Sequence, residues 1–328
     1  MFYNYAMENH YSKKYIISTG IGLQDVDRLK NSSYFKQESE RYVNGEISLD
    51  ELDEIITSYY QTKPDVEERT EEADKIAVRI GKLISEDAFS FTVGQYLSIH
   101  SFLFRDIIKN AGKLRTYNFT KEEWILDGAS VTYGDFRELE ATLQYDFDIE
   151  RRFNYADMSM DEIIDHLAVF IANLWQIHAF EEGNTRTTAV FVIKYLRSLG
   201  FNITNDAFAE NAWYFRNSLV RANYVNLSKG ITEDRSFLIV FLRNLILDEQ
   251  NELKNRNLHI CNNRENKSSS SEDRILNEMK ANPQITLEEL ASILNVSLRT
   301  TKSIVKKLQS DGKIIRLNGK RFGSWKVN

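Results

Sequence analysis

Residues 163–196 read IIDHLAVFIANLWQIHAFEEGNTRTTAVFVIKYL, and this stretch indicates the fold more strongly than any other part of the 328-residue chain. A short polar loop, residues 178–186, lies between two apolar segments. On both sides of the loop apolar residues recur at helical spacing, at Ile163, Leu167, Phe170, Ile171, Leu174, Val190, Ile193, Tyr195 and Leu196. The spacing predicts two core helices joined by a loop that begins at His178.

The rest of the chain also favours helices. Proline occurs only at Pro64 and Pro283, and glycine is sparse. We predict a mainly α protein whose helical bundle occupies residues 66–258. Within the bundle, Leu114–Asp135 loses the helical period and contains β-formers and turn residues. We expect this segment, called the flap below, to be a small β-hairpin or a loop across the bundle.

Two further segments flank the bundle. Residues 1–65 form a predicted helical segment, with a break at Asn44-Gly45 and a capping box at Ser48–Glu51 that begins the next helix. Residues 259–272 are polar and contain a serine run, which predicts a flexible linker to the C-terminal part of the chain.

Residues 273–328 resemble a winged helix-turn-helix domain. Helices are predicted at Arg274–Lys280, at Leu287–Leu294 after a capping box, and from Ser297 to about Leu308, followed by two short strands. The resemblance implies DNA binding by exposed residues of the third helix and by the wing, namely Arg299, Thr300, Lys302, Lys306, Lys320 and Arg321.

The charge distribution is consistent with two kinds of partner. Ser297–Asn328 contains nine Lys or Arg residues and one acidic residue, whereas residues 1–296 have a net charge of −14. A basic C-terminal domain is typical of a DNA-binding protein. A protein-docking module whose lysines are merely solvated stays open as the alternative.

Composition excludes several other classes of protein. The single cysteine, Cys261, excludes an internal disulfide, and the five histidines are too scattered for a structural zinc site. No apolar run approaches the roughly 18 residues of a membrane span, and the first fifteen residues lack the apolar region of a secretory signal. We expect a cytoplasmic protein without membrane segments, and an oligomer is possible.

The loop His178–Arg186 combines groups that phosphoryl and nucleotidyl transfer require. A neutral His178 can take the proton of an attacking hydroxyl. Gly183-Asn184-Thr185 precede a helix whose first backbone amides can receive a phosphate. Arg186 can hold further phosphate oxygens, and Glu182 can hold a magnesium ion that arrives with the phosphates.

The same loop resembles the signature of the Fic family, His-x-Phe-x-(Asp/Glu)-Gly-Asn-Gly-Arg-x-x-Arg, at six of its eight specified positions. The resemblance implies a helical bundle that transfers AMP from ATP, with magnesium, to a Ser, Thr or Tyr hydroxyl of a target protein aligned by the flap. It implies that His178 is the base, Phe180 the loop anchor and Glu182 the magnesium ligand. The implied nucleotide-binding residues are Gly183, Asn184, Thr185, Arg186 and, unless it only packs between helices, Tyr224.

The loop departs from the Fic signature at two specified positions: Thr185 replaces glycine, and Ala189 replaces the second arginine, which in the family faces the γ-phosphate. In addition, Ala179 stands where the family usually has proline. The related Doc proteins also carry His-Ala-Phe, lack that arginine and transfer a phosphate. Beside AMP transfer, two alternatives therefore stay open: a Doc-like kinase reaction, and a non-catalytic DNA-binding regulator that senses nucleotide. The intact base favours an enzyme, because a sensor has no use for it.

Residues Val26–Tyr60 resemble the small antitoxin module that accompanies many Fic proteins, chiefly at Tyr42–Glu51. In that module a glutamate pairs with the second arginine, and here Asp27 stands in the place of the glutamate. Because Ala189 removes the arginine, both ends of the ordinary ion pair are lost. We expect this segment to pack on the core without inhibiting through that ion pair.

Overall fold

A computed structural model of the chain describes residues 11–62, 68–260, 271–294, 296–317 and 324–328. The chain divides into two compact units, residues 1–258 and 259–328. Most of the regular structure is helical, which confirms the predicted mainly α class. None of the described helices has the length and apolar character to cross a bilayer. Most of the predicted linker, residues 261–270, lies outside the described residues.

The first unit is built from helices joined by loops and short 3-10 turns. Its described α-helices are α1 (Lys13–Gly22), α2 (Ser33–Val43), α3 (Leu49–Thr62), α4 (Glu68–Ser85), α5 (Val93–Phe104), α6 (Leu139–Arg152), α7 (Met160–Ile177), α8 (Asn184–Ser198), α9 (Ala207–Asn223) and α10 (Ser236–Leu247). The 3-10 turns lie at Leu23–Asp27, Trp124–Leu126, Leu227–Lys229 and Asn255–Leu258.

Helices α7 and α8 are the two core helices that the sequence predicts. α7 begins at a capping box between Ser159 and Glu162, and it ends at His178, whose backbone is left-handed with φ 51° and ψ 56°. α8 is enclosed by α4, α5 and α7, and every residue from Asn184 to Leu196 is buried. The loop between them therefore starts and ends on rigid elements.

Aromatic side chains fill the core behind this loop. Rings from the α4–α5 connection, α6, α7 and α8 pack together with centroid separations of 4.5–6.2 Å, and they belong to Phe91, Phe147, Phe170, Phe191 and Tyr195. Such rings bury a large apolar area with few rotatable bonds. They fix α6, α7 and α8 relative to one another.

The N-terminal helices are an integral part of the first unit. α1 packs on α4 and α9 at very short range, since a Cβ atom on Gly20 would lie 2.3 Å from the carbonyl oxygen of Ala77. The predicted break at Asn44-Gly45 is confirmed, with Gly45 at φ 82°, and so is the Ser48–Glu51 capping box. This packing brings the turn that follows α1 against α8 and α9.

The flap has no regular strands. It folds back on itself at Asp127-Gly128, where the backbone amide of Glu123 donates to the carbonyl of Ala129 and the amide of Gly128 to the carbonyl of Glu123. Other backbone groups of the flap bond to side chains, as when the amide of Lys121 donates to Ser130 Oγ at 3.1 Å, or to the backbone around the end of α7, as when the amide of Gly134 donates to the carbonyl of Gln176. These bonds take the place of a cross-strand ladder, and the flap is the predicted loop rather than the predicted β-hairpin.

The second unit has the predicted order of elements. It contains α11 (Ser271–Ala281), α12 (Leu287–Leu294), α13 (Leu298–Ser310), β1 (Ile314–Leu317) and β2 (Ser324–Val327). The strands are antiparallel, with Ile314 opposite Val327. The predicted caps are confirmed at Thr286, whose side chain exchanges bonds with Glu289, and at Ser297. The core is formed by Ile275, Met279, Ile285, Leu290, Leu294, Val305, Leu308, Ile314 and Trp325.

Candidate active site

His178 is buried between aromatic rings at the end of α7. Its ring stacks on Tyr133 of the flap at 3.9 Å and meets the edges of Trp175 and Phe119. Burial, followed by the charges of Lys121 and two arginines, holds the pKa of His178 well below its usual value. Its Nδ1 atom is buried and has no hydrogen-bond partner among the described residues. The imidazole is therefore neutral at pH 7 and able to accept a proton.

Arg115 connects this histidine to the flap. Its Nε donates to the carbonyl of His178 at 2.7 Å, and its Nη1 donates to the carbonyl of Tyr117 at 2.7 Å. Its Nη2 donates to the carbonyl of Gly134, at the far end of the flap. Arg115 therefore closes the base of the flap and also satisfies carbonyls at the end of α7, which have no partners within the helix.

The side chain of Asn184 shapes the loop. Its Oδ1 accepts from the amide of Phe180 at 2.9 Å and its Nδ2 donates to the carbonyl of Phe180 at 2.8 Å. One N–H and the oxygen of the amide are thereby used within the loop, while Asn184 also lines the small cavity beside His178. The geometry assigns it to loop closure, while the ring of Phe180 is fully buried, as expected for an anchor.

The start of α8 is open to a small cavity beside His178. Gly183 has φ 75°, and a Cβ atom there would lie 2.1 Å from the ring of Phe104, so the position admits glycine alone without rearrangement. No side chain caps the first turn. The small cavity is lined by Asp27, Lys121, Trp175, His178, Glu182, Gly183, Asn184, Thr185 and Arg216 and has a volume of about 10 Å³, enough for one water.

Thr185, where the Fic signature has glycine, lies against Trp175. Its hydroxyl accepts a 2.9 Å hydrogen bond from the indole Nε1 of Trp175. Thr185 is nearly fully buried, and it lines the small cavity. The substitution therefore adds a hydroxyl to the cavity wall and ties the start of α8 to the end of α7.

His100 supports the loop from below and was not predicted from the sequence. Its ring stacks on Phe180 at 3.7 Å. Its Nδ1 accepts from the amide of Gly112 at 2.8 Å, so Nε2 carries the proton and donates to the carbonyl of Glu182 at 3.0 Å. Burial is the main reason that its pKa falls to about 4. An isolated histidine on an apolar helix gives no signal for this role.

The low pKa of His100 predicts an acid-dependent loss of stability. The unfolded chain protonates this residue near pH 6.5 and the folded chain only near pH 4, so the unfolding free energy should fall by about 3 kcal/mol from pH 7 to pH 4 on its account. We expect His100→Gln to remove this part of the pH dependence. Urea unfolding at pH 4–7.5, followed by tryptophan fluorescence, measures it, and parallel curves for both proteins would contradict it.

Glu182 is suited to bind a metal ion together with a phosphate ligand. Its side chain is 55% exposed, and its Oε2 lies 3.8 Å from Nζ of Lys121. Among the described residues no group of three or more His, Cys, Asp or Glu side chains could hold a metal by itself. Magnesium commonly uses one or two carboxylates and completes its shell with phosphate oxygens and water. One open carboxylate at the mouth of the small cavity fits that preference.

Arg186 is enclosed by three acceptors, here called the Arg186 clamp. Its Nη2 lies 2.9 Å from Oδ2 of Asp27 and 2.7 Å from Oε1 of Glu72, and its Nη1 donates to Oε1 of Gln24 at 3.2 Å. The arginine is 1% exposed and also faces the ring of Phe104. Both terminal nitrogens of Arg186 are thus engaged, whereas its Nε is buried without a hydrogen-bond partner among the described residues. In this arrangement a phosphate would have to displace one of the three acceptors.

Asp27 thus has a charged partner that the sequence analysis did not expect. Burial alone would raise the pKa of Asp27. The positive charges of Arg186, Lys121, Arg216 and Arg69 together lower the pKa by more, so that it lies below the usual value. Position 189, where the second arginine was sought, is a fully buried alanine. The ordinary ion pair with a second arginine is therefore absent, and Asp27 pairs with the first arginine, Arg186, instead.

A large cavity of about 400 Å³ adjoins the small one, with which it shares Asp27, Lys121, Glu182 and Arg216. It is also lined by Val26, Arg28, Arg69, Glu122, Glu123, Trp124 and Trp213. The guanidinium of Arg216 is held by Glu123 through two hydrogen bonds of 2.7 and 2.9 Å. The volume is within the range of small-molecule sites. The indole of Trp124 is exposed and offers a flat surface for a ring, whereas the half-buried indole of Trp213 already faces the guanidinium groups of Arg28 and Arg216.

Tyr224 does not line either cavity. It lies beyond the end of α9, is 4% exposed, and its hydroxyl accepts from Nδ2 of Asn226 at 3.2 Å. The residues of α9 that do reach the large cavity, Trp213 and Arg216, lie about three and two turns earlier. The structure therefore favours packing for Tyr224, the alternative that the sequence had left open.

The second unit presents a basic face on α13. Arg299, Lys302 and Lys306 are exposed and recur at positions that share one side of a helix. Thr300 is exposed beside them and bonds to the cap residue Ser297. Lys307 instead pairs with Glu272 at 2.7 Å. The two predicted wing residues, Lys320 and Arg321, lie outside the described residues.

Comparisons with known proteins agree with both parts of this description. The Fic/DOC family model matches residues 90–196, and a model described as winged helix-turn-helix DNA-binding matches residues 273–315. No curated protein matches the chain.

Two solved structures are among those that match the chain. A Fic family protein from Desulfovibrio desulfuricans G20 is 12% identical, with 96% of this chain and 87% of that chain covered and a TM-score of 0.44. The N-terminal FIC domain of Bep8, a VirB-translocated effector from Bartonella sp. 1-1C, is 18% identical, with 58% and 93% covered and a TM-score of 0.43. The chain thus contains a Fic/DOC domain at residues 90–196 and a winged helix-turn-helix domain at residues 273–315.

Proposed function

We propose that this protein transfers AMP from ATP to a hydroxyl side chain of a target protein. The observation that carries the proposal is the neutral His178 beside the uncapped first turn of α8, with Glu182 at the mouth of the same cavity. A base, an anion-binding helix start and an open carboxylate are the groups that this transfer uses.

In the proposed reaction the target hydroxyl attacks the α-phosphorus of ATP. His178 accepts the hydroxyl proton, the new bond joins the hydroxyl oxygen to phosphorus, and the bond from phosphorus to the bridging oxygen breaks. Pyrophosphate leaves with that electron pair. The backbone amides at Gly183–Thr185 stabilise the charge on the transferred phosphate. Negative phosphates near His178 also favour its protonated form, which the surrounding cations otherwise disfavour.

The large cavity is the proposed site for the rest of the nucleotide. The exposed indole of Trp124 can stack on the base, and the large cavity shares Lys121 and Glu182 with the small one. Glu182 would hold magnesium together with phosphate oxygens, and a bound magnesium ion would supply charge neutralisation at the phosphates.

ATP labelled at either the α or the γ phosphate tests this function. We expect label from the α position on the protein itself or on proteins of a cell lysate, with the His178→Ala protein as the blank. Label from the γ position alone would support the kinase reaction instead, for which the loss of the second arginine to Ala189 is the argument. If no label is transferred from either position and ATP binds tightly, the result would support a non-catalytic nucleotide sensor.

We further propose that the described arrangement is a closed state of the enzyme, regulated through Asp27. The argument is that the Arg186 clamp occupies both terminal nitrogens of the guanidinium, so that a phosphate would have to displace an acceptor there. The clamp joins the turn after α1 to α4 and α8, so the antitoxin-like N-terminal segment supplies one of its two carboxylates.

The basic face of α13 is the proposed DNA-binding surface. We expect the triple variant Arg299→Ala/Lys302→Ala/Lys306→Ala to weaken binding to a 30-base-pair duplex by at least about tenfold at 100 mM salt. The slope of log affinity against log salt should fall by about three, one for each phosphate contact. Lys307→Ala is the matched control because Glu272 already pairs with its charge. An unchanged slope would favour the protein-docking alternative.

A further inference from the structure

Lys121 is a cation of the flap that the Fic signature does not include. Its side chain is 36% exposed and lines both the small and the large cavity. Its backbone is held in place because its amide donates to Ser130. It therefore lies where a polyphosphate extending from one cavity to the other would pass.

The other cations near the loop are already engaged. Arg186 is enclosed by its clamp, Arg115 donates to backbone carbonyls, and Arg216 is held by Glu123 through two hydrogen bonds. In contrast, the ion pair that Lys121 makes, with Glu182, is long at 3.8 Å. Of the cations lining the small cavity in the described part of the chain, Lys121 is the one whose charge is least compensated.

The position of the missing second arginine offers no substitute. Ala189 is fully buried inside α8, so no charge can reach the cavities from there. A triphosphate brings up to four negative charges, and in a protein site these need neutralising partners.

We infer that Lys121 binds the phosphates of the nucleotide, and thereby supplies from the flap a charge that α8 lacks. The inference rests on the proposed function, since it assumes that the two cavities hold a nucleoside triphosphate. Lys121 remains protonated throughout and forms no covalent bond. Its contribution is to hold the phosphates and to neutralise charge on the pyrophosphate as it leaves.

Calorimetric titration of the full chain tests the inference. The probes are ATP and tripolyphosphate, both in the presence of magnesium, and adenosine. We expect Lys121→Met to weaken ATP and tripolyphosphate by about tenfold and to leave adenosine unchanged, because a charged hydrogen bond is lost only with the phosphates. Lys121→Arg should restore most of the affinity. Lys113→Met, which removes an exposed charge near the flap base that lines neither cavity, should change none of the three.

The outcomes separate this inference from the proposed reaction. Equal affinity of wild type and Lys121→Met for ATP would overturn the role of Lys121 while leaving AMP transfer intact. An equal loss for adenosine would also overturn it, since that result marks a structural defect. If Lys121→Met weakens binding of ATP and tripolyphosphate but not of adenosine, and the wild type transfers no label, the role of Lys121 is supported and the proposed AMP transfer is rejected. A wild type that binds neither ATP nor tripolyphosphate would overturn both.

Discussion

Replacing His178 with alanine is expected to lower the rate of label transfer from ATP by about 10²–10⁴-fold, the range that a positioned general base contributes. The side chain is enclosed by Tyr133, Trp175 and Phe119, and its buried Nδ1 has no partner among the described residues. No other imidazole lines the small cavity within the described chain. A water molecule in the space left by alanine would be a much weaker base.

Rates of label incorporation at saturating ATP, with melting temperatures recorded for each protein, measure this effect. Glu181→Gln is the matched control. Glu181 lies in the same loop, accepts hydrogen bonds from Asn110 and lines neither cavity. The control should stay within about threefold of wild type by the usual tolerance of peripheral sites. His178→Gln keeps more of the side-chain volume and should be as inactive as the alanine variant. Activity retained in both would exclude His178 as the base.

Opening the Arg186 clamp is expected to raise ATP affinity by about 100-fold in the double variant Asp27→Asn/Glu72→Gln. A buried ion pair that loses its partner costs about 3–5 kcal/mol, and most of this cost falls on the closed state, whereas the ATP-bound state offers Arg186 phosphate oxygens instead. Each single variant leaves one carboxylate on the same guanidinium nitrogen. The single variants should therefore gain less than about tenfold, and the two changes should not be additive.

Titration of ATP into each protein, together with thermal melting, measures the opening. Without ATP the double variant should melt at a lower temperature than wild type, and ATP should restore the difference. Asp50→Asn is the control, since it removes an exposed partner of Lys82 in the same N-terminal segment. If the double variant does not fold, a gain of affinity in either single variant still supports the clamp. No gain in any variant would mean that Arg186 does not meet phosphate.

Local sequence signals predicted the parts of this protein that depend on neighbours in the chain. Apolar spacing predicted α7 and α8, and the caps at Ser48, Thr286 and Ser297 formed where side chains lie three residues from the amides they bond. These interactions are decided within one helical turn. For that reason the mainly α class and the helices of the second unit could be predicted from the residues.

The candidate site was less predictable because its contacts join distant segments. Glu72 lies 114 positions from Arg186, and nothing in its own helix indicates that it faces an arginine. The β-formers of the flap predicted a hairpin or a loop, and bonds such as that from the Lys121 amide to Ser130 decided for the loop. Asn184 matched the signature, yet nothing in the sequence indicated that its side chain bonds to the backbone of Phe180. The type and spacing of the residues predicted which groups belong to the site. Tertiary packing decided which of those groups are open to a ligand.

The contacts of Arg115 have a mechanical consequence for the flap and the loop at His178. One guanidinium bonds to the carbonyl of the base residue and to both ends of the flap. Backbone bonds from Arg115 to Ala179 and from Gly134 to Gln176 join the same two segments, so a displacement of the flap strains the backbone that carries the imidazole. If a target segment docks on the flap as proposed, poor docking should lower turnover as well as binding.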